Sequence, residues 1–270
     1  LDNGGTVRLP WTRLDPQLAD ELLEKYGYVD RSGDELFVEV DRLLLNDGSG
    51  GFTPGSSPRV GDGPISVTTA DVNGDGAVDL ISANRDADTL SVLINNGSGG
   101  FTPRASLSVG NAPFSVTAGD VNGDGLDDMI IGAGGYGFDH PLGISYVVFG
   151  RTSTFGAAFA LAELDGKSGF FIGPGGNYSS FSTTVSNAGD FNGDGFDEVI
   201  IGSPFSGPEI SPGSFSVAYG KASGFSPFDG KEGFSVSAEK YNSLGSTVSG
   251  AGDVNGDGFD DVVVSSNSFN

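Results

Sequence analysis

Short apolar runs recur along the 270-residue chain, each bounded by polar or glycine-rich segments. Met129-Ile-Ile131, Val199-Ile-Ile201 and Val262-Val-Val264 are three of them. Consecutive apolar residues over so short a length predict strands covered on both faces. Phe114-Ser-Val-Thr-Ala118 instead alternates large and small residues with a period of two, a strand that precedes the first of these runs. Ile144-Ser-Tyr-Val-Val-Phe149 is rich in β-branched and aromatic residues and stops at Gly150, and Gly169-Phe-Phe-Ile172 offers a fourth strand. Four short strands per unit, each unit too small for its own core, is the pattern of propeller blades. The first 40 residues differ. Asp15-Pro16 reads as an N-cap with proline at the first helical position, Leu18, Leu22 and Tyr26 share one helical face, and Gly27 is a stop. One short helix is expected there, then a strand at Leu36-Phe-Val-Glu-Val40. The expected organisation is a lead-in segment at 1–40 and an all-β propeller of about four blades at 41–270.

Between the alternating strand and the apolar run stands one acidic loop, present in four copies. They are Asp71-Val-Asn-Gly-Asp-Gly-Ala-Val-Asp79, Asp120-Val-Asn-Gly-Asp-Gly-Leu-Asp-Asp128, Asp190-Phe-Asn-Gly-Asp-Gly-Phe-Asp-Glu198 and Asp253-Val-Asn-Gly-Asp-Gly-Phe-Asp-Asp261. Their starts lie 49, 70 and 63 residues apart, periods that suggest a propeller, solenoid or array. Other segments repeat as well: Gly51-Phe-Thr-Pro54 returns as Gly100-Phe-Thr-Pro103, and Tyr146-Val-Val-Phe-Gly150 as Ser216-Val-Ala-Tyr-Gly220. Asp41–Phe52 matches Asp88–Phe101, the second half of a unit, while Val262-Val-Val264 belongs to a first half. Either the ends pair to close a ring of about four blades, or the chain is a piece of a longer propeller.

Each loop carries oxygen-bearing side chains at positions 1, 3, 5 and 9 and glycine at positions 4 and 6. A hard cation such as Ca²⁺ takes about six to eight oxygen ligands, and a short loop supplies them only by wrapping around the ion. Glycine permits the positive φ angles of such a wrap. Asn-Gly and Asp-Gly also make ordinary hairpin turns. A turn, however, does not require acids at positions 1, 5 and 9 in every copy, and carboxylates gathered without a cation repel one another. The loop is not an EF-hand, because position 12 is Ser82, Ile131, Ile201 or Val264 rather than a bidentate acid. About four Ca²⁺ are expected, one per loop.

Charge narrows the partners. The net charge is −23, from 36 acids against 13 bases. Four calcium ions at two charges each would offset only eight of these, so the rest is acidic surface. A nucleic-acid partner is disfavoured, since phosphate binding needs clustered Lys and Arg, and an anionic membrane surface is disfavoured for the same reason. No run of about 18 apolar residues is present, so membrane insertion is not expected. There is no cysteine to build a disulfide framework. The chain starts at Leu1 rather than Met, from which a removed N-terminus is expected, and the lack of a visible leader then carries no weight. His140 is the only histidine, which excludes histidine triads and His-rich zinc sites; beside Asp139 and Pro141 it reads as a loop residue.

The stretches Ala118–Ala133 and Val248–Val264 closely resemble the FG-GAP repeat, the blade unit of the integrin α-subunit β-propeller. The first two units, with their Asn-Gly-Ser-Gly-Gly-Phe-type turns, look like a shorter bacterial variant. The resemblance implies one calcium ion per hairpin loop, bound by side chains at positions 1, 3, 5 and 9 and by the carbonyl of position 7. In the first loop these residues are Asp71, Asn73, Asp75, Ala77 and Asp79. In the second they are Asp120, Asn122, Asp124, Leu126 and Asp128. In the third they are Asp190, Asn192, Asp194, Phe196 and Glu198, and in the fourth Asp253, Asn255, Asp257, Phe259 and Asp261. Glu198 departs from the usual Asp, and its site is expected to be looser or differently centred. Position 8, which is Val78, Asp127, Asp197 or Asp260, is expected to face outward and not to be a ligand. Integrin-type propellers have seven blades, more than this chain can hold, and the animal proteins carry cysteines that are absent here.

The function expected from these features is a non-catalytic, calcium-stabilised propeller outside the cell, serving adhesion or binding of a protein or carbohydrate ligand. Weak calcium affinity, with Kd of about 10⁻⁴ to 10⁻³ M, is typical of extracellular modules and would leave such sites empty in cytosol. Gly134–Leu142 and Ser203–Pro212 are candidate ligand loops, because they vary between units. Two alternatives stand beside this reading. One is the propeller module of a secreted polysaccharide- or lipid-cleaving enzyme, although nearly every conspicuous acid already belongs to a loop. The other is a passive spacer in a large surface protein.

Overall fold

The computed structural model describes residues 7–10, 35–38, 44–46, 51–55, 58–109, 112–134, 143–152, 161, 164–173, 184–204, 212–225, 233–238 and 243–267. The helix expected between Asp15 and Gly27 lies outside them, as do His140 and most of both candidate ligand loops. Two compact units are present, Leu1–Arg59 and Val60–Asn270. In the first, β1 (Val7–Pro10) pairs antiparallel with β2 (Glu35–Val38), and β3 (Leu44–Asn46) with β4 (Phe52–Pro54).

The second unit is a succession of antiparallel meanders. β5 (Pro64–Ala70), β6 (Asp79–Asn84), β7 (Thr89–Asn95) and β8 (Phe101–Ser108) form one four-stranded sheet in chain order. β9 (Pro113–Gly119), β10 (Asp128–Ala133), β11 (Ile144–Val148) and β12 (Gly169–Ile172) form the next. β13 (Thr184–Asn187), β14 (Val199–Ser203), β15 (Ser214–Ala218) and β16 (Gly233–Ser237) form the third. β17 (Leu244–Gly252) and β18 (Asp261–Ser266) pair as a two-stranded sheet. The first strands lie side by side from sheet to sheet: β5 touches β9, β9 touches β13, and β13 touches β17. Sheets that meet through their first strands succeed one another as propeller blades do.

The strand assignments read from the apolar runs hold, and the reason is visible in the packing. On β10, Met129 and Ile131 face the β5–β8 sheet, in a core with Ile81, Leu90, Val92 and Leu107. Ile130, between them, turns to the other side and packs with Val147, Val199 and Ile201. On β14 the same split recurs, Val199 and Ile201 facing back and Ile200 facing forward to Val248, Val262 and Val264. A second strand is therefore apolar on both faces because a blade lies on each side of it. Among the described residues β18 has such a neighbour on one side only: Val262 and Val264 pack against the third sheet, and Val263 is 56% exposed.

Candidate metal centres in the blade hairpins

All four acidic loops join the first strand of a sheet to the second. Positions 4 and 6 take positive φ throughout, 74° and 83° at Gly74 and Gly76, 71° and 85° at Gly123 and Gly125. This left-handed backbone turns successive N–H groups inward. In the first loop the N–H groups of Gly74, Asp75 and Gly76 donate to the Asp71 carboxylate at 2.8–3.2 Å. Asp75 N–H also donates to Asn73 Oδ1, and Ala77 N–H to Asp75 Oδ1. The second loop repeats the scheme on Asp120, Asn122 and Asp124. The third uses Asp190 and Asp194, and the fourth Asp253, Asn255 and Asp257. Positions 1, 3 and 5 thus line one concave backbone, and the carbonyl-bearing residues Ala77, Leu126, Phe196 and Phe259 close it. Among the described residues, no three His, Cys, Asp or Glu side chains stand close enough together to hold a metal ion as they are placed.

Position 9 is set apart by burial. Asp79, Asp128 and Glu198 are each 0% exposed. Asp128 accepts from Val121 N–H, Asn122 Nδ2 and Gly150 N–H. Glu198 keeps the equivalent side-chain and third-strand donors, Asn192 Nδ2 and Gly220 N–H, but takes the loop N–H of position 3, Asn192, where Asp128 takes that of position 2. Asp79 accepts Asn95 N–H, while its buried Oδ2 has no direct hydrogen bond. In each case a residue at the end of the third strand, or two residues past it, donates to the loop's last acid. Sequence reading missed this contact, because the donor is a backbone group with no side-chain signature. Asp261 accepts Val254 N–H in the less covered fourth loop.

Burial raises the carboxyls of Asp79, Asp128 and Glu198 first, and other acids of the same loop raise them further. Asp128 is pushed up to about 8, by burial and then by Asp124 and Asp120. Glu198 is pushed up to about 7, by burial and, more weakly, by Asp194. Asp79 is raised by burial and then by Asp75 and Asp71, while nearby backbone N–H groups lower it. In the first two loops positions 1, 5 and 9 therefore act on one another electrostatically, although seven residues of chain lie between the first and the last. An all-oxygen set of mutually repelling acids, one with an orphaned buried oxygen, is the donor chemistry of a hard divalent cation. The residues fit calcium: side chains at positions 1, 3, 5 and 9 and the position-7 carbonyl would hold it, and it would supply the charge that lets the buried acid ionise.

Position 8 points out of its own loop, as expected, and where it is aspartate it turns to the neighbouring blade. Asp127 Oδ2 accepts the N–H of Asp71, in the loop of the preceding blade, at 2.9 Å. Asp197 does the same for Asp120 at 3.2 Å, and Asp260 for Asp190 at 2.9 Å. Val78, in the first loop, is 52% exposed. Beside the second loop lies a cleft of about 800 Å³, lined among others by Asn122, Asp124, Asp165, Lys167 and Phe225. Phe225 stacks on Phe170 at 4.3 Å, with Lys221 Nζ 5.4 Å from its ring centre.

Comparison with known proteins agrees with this geometry. The FG-GAP-like repeat family matches residues 29–82 and 71–131, and the FG-GAP repeat family matches residues 181–219 and 244–270. Integrin alpha pat-2 of Caenorhabditis elegans is 33% identical over 89 residues, which is 32% of this chain and 7% of that protein. The likeness thus concerns a short stretch of a much longer relative.

Proposed function

The chain is an FG-GAP repeat protein with integrin α-like blades, and on that footing we propose a calcium-stabilised, non-catalytic β-propeller module that binds a protein or carbohydrate ligand outside the cell, as in adhesion. The observation that carries the reading is the buried position-9 acid, repelled by the acids at positions 1 and 5 in the first two loops and by position 5 in the third. Burying a carboxylate among carboxylates is costly unless a cation joins them. In this reading calcium is structural. It converts repulsion into attraction and fixes hairpins whose glycines would otherwise leave them loose. Weak affinity of about 10⁻⁴ to 10⁻³ M confines occupancy to calcium-rich surroundings, which supports an extracellular or cell-surface setting. A non-catalytic role is supported by the use of the acids: the buried carboxylates among the described residues, Asp79, Asp128 and Glu198, all sit in loops. No described helix is long and apolar enough to cross a membrane.

Thermal unfolding with millimolar Ca²⁺ and then with excess EGTA tests this. At about 1 mM Ca²⁺ and a Kd of about 0.1 mM, each occupied site adds roughly 1.4 kcal/mol. Tm is expected to rise with calcium, and less so in Asp124→Ala and in Asp257→Ala. An unchanged Tm across the calcium range would reduce the loops to turns and remove the argument for an extracellular setting.

A further inference from the structure

Resting on the calcium reading above, we propose that Asp127, Asp197 and Asp260 are positioning residues, each holding the calcium loop of the preceding blade in its binding conformation. Three contacts recur at every junction. The position-8 carboxylate accepts the N–H of position 1 in the preceding loop, at 2.9 Å for Asp127 to Asp71, 3.2 Å for Asp197 to Asp120 and 2.9 Å for Asp260 to Asp190. The position-8 N–H donates back to the carbonyl of that same position-1 residue, at 3.4, 3.2 and 3.4 Å. The side chain at position 7 covers the position-4 glycine of the preceding loop: a Cβ on Gly74 would stand 2.6 Å from Leu126, and one on Gly123 or Gly193 would stand 2.5 Å from Phe196 or Phe259.

The contacts have a direction. Position 1 is the residue whose carboxylate gathers the loop's inward N–H groups, so both backbone groups of the residue that starts the wrap are gripped from the next blade. A loop rich in glycine loses much conformational freedom on closing around an ion, and a clamp already in place reduces that loss. The first loop's Val78 has no carboxylate to lend, whereas loops two to four each present one to the loop before. Position 8 thus spends an oxygen one blade upstream of its own loop, and Asp197 Oδ2 also accepts Asn187 Nδ2 of its own blade at 2.7 Å.

The test is a Ca²⁺ titration of the whole chain followed by ¹H–¹⁵N NMR at the position-6 amides. These are direct reporters, because Gly125 N–H donates to Asp120 Oδ2 at 2.9 Å and Gly195 N–H to Asp190 Oδ2 at 3.0 Å. In Asp197→Ala the calcium concentration for half-saturation at Gly125 is expected to rise by about fivefold or more, with a smaller change at Gly195. In Asp260→Ala the larger change moves to Gly195. Asp197→Asn, which keeps an oxygen acceptor, is expected to stay near the parent. A loss centred on Gly195 in Asp197→Ala, an equal loss at every loop, or no loss with calcium still bound would each overturn the proposal alone. No calcium response at any of these amides in the parent chain would instead sink the calcium reading and this proposal with it.

Discussion

Gly123 and Gly125 stand two residues apart at φ of 71° and 85°, yet only the first is crowded: a Cβ there meets Phe196 at 2.5 Å, whereas nothing lies within 4 Å of one on Gly125. The two alanine substitutions therefore separate backbone strain from steric exclusion. Gly125→Ala is expected to cost about 1 kcal/mol, the strain of a left-handed non-glycine residue. Gly123→Ala adds the clash and is expected to cost about 2–4 kcal/mol. Urea midpoints in saturating calcium measure both. Adding Phe196→Leu to Gly123→Ala is expected to recover part of the difference but to leave Gly125→Ala unchanged. Equal costs for the two alanines would show that Phe196 yields freely. Sequence made the glycine positions and the oxygen spacing legible, since both act within nine residues. The use of Asp127, Asp197 and Asp260 was not legible, because their partners lie 56, 77 and 70 residues back along the chain. The one available signal was the exchange of aspartate for valine at Val78, in the loop without a described partner upstream.

The strands were legible for a related reason. An apolar run too short for a helix demands cover on two faces, and Met129-Ile-Ile131 and Val199-Ile-Ile201 receive it from blades on either side. What the run could not disclose is which face meets which blade, since Ile130 and Ile131 are chemically identical. The middle residue of each run now makes a quantitative contrast. Ile200 is 0% exposed, between the third sheet and β17–β18, while its counterpart Val263 on β18 is 56% exposed. Ile200→Ala is expected to destabilise the chain by about 2–5 kcal/mol, transfer loss plus a cavity. Val263→Ala is expected to change stability by less than about 0.5 kcal/mol. Denaturation of the two variants side by side reads the result, and a large loss at Val263 would mean that β18 is covered in solution.

At the scale of the whole molecule, three buried acids with raised pKa values make stability depend on pH, and in the calcium reading proposed above they couple that dependence to the ion. Asp128 titrates near 8 and Glu198 near 7 in the folded chain, against ordinary values of 3.8 and 4.5, and Asp79 is raised as well. A folded state that holds these protons more tightly than the unfolded chain is favoured at low pH and loses that advantage as pH rises. Without calcium, stability is therefore expected to fall as pH climbs from about 5.5 through 7 and 8. Asp253 and Asp165 act in the opposite sense, being lowered by the backbone N–H groups around them, but their contribution is lost only below pH 4 and does not reach this window. His140 ordinarily titrates within it, so the comparison belongs in a His140→Gln background. In the calcium reading proposed above, the ion binds the ionised acids and must displace those protons, so its stabilisation is expected to grow with pH. The expected outcome is a gap in Tm, between saturating Ca²⁺ and EGTA, that is small at pH 5.5 and widens toward pH 8, each kcal/mol adding about 2–4 °C for a chain of this size. A gap independent of pH would mean that the ions bind without Asp79, Asp128 and Glu198, and position 9 would lose its place among the ligands.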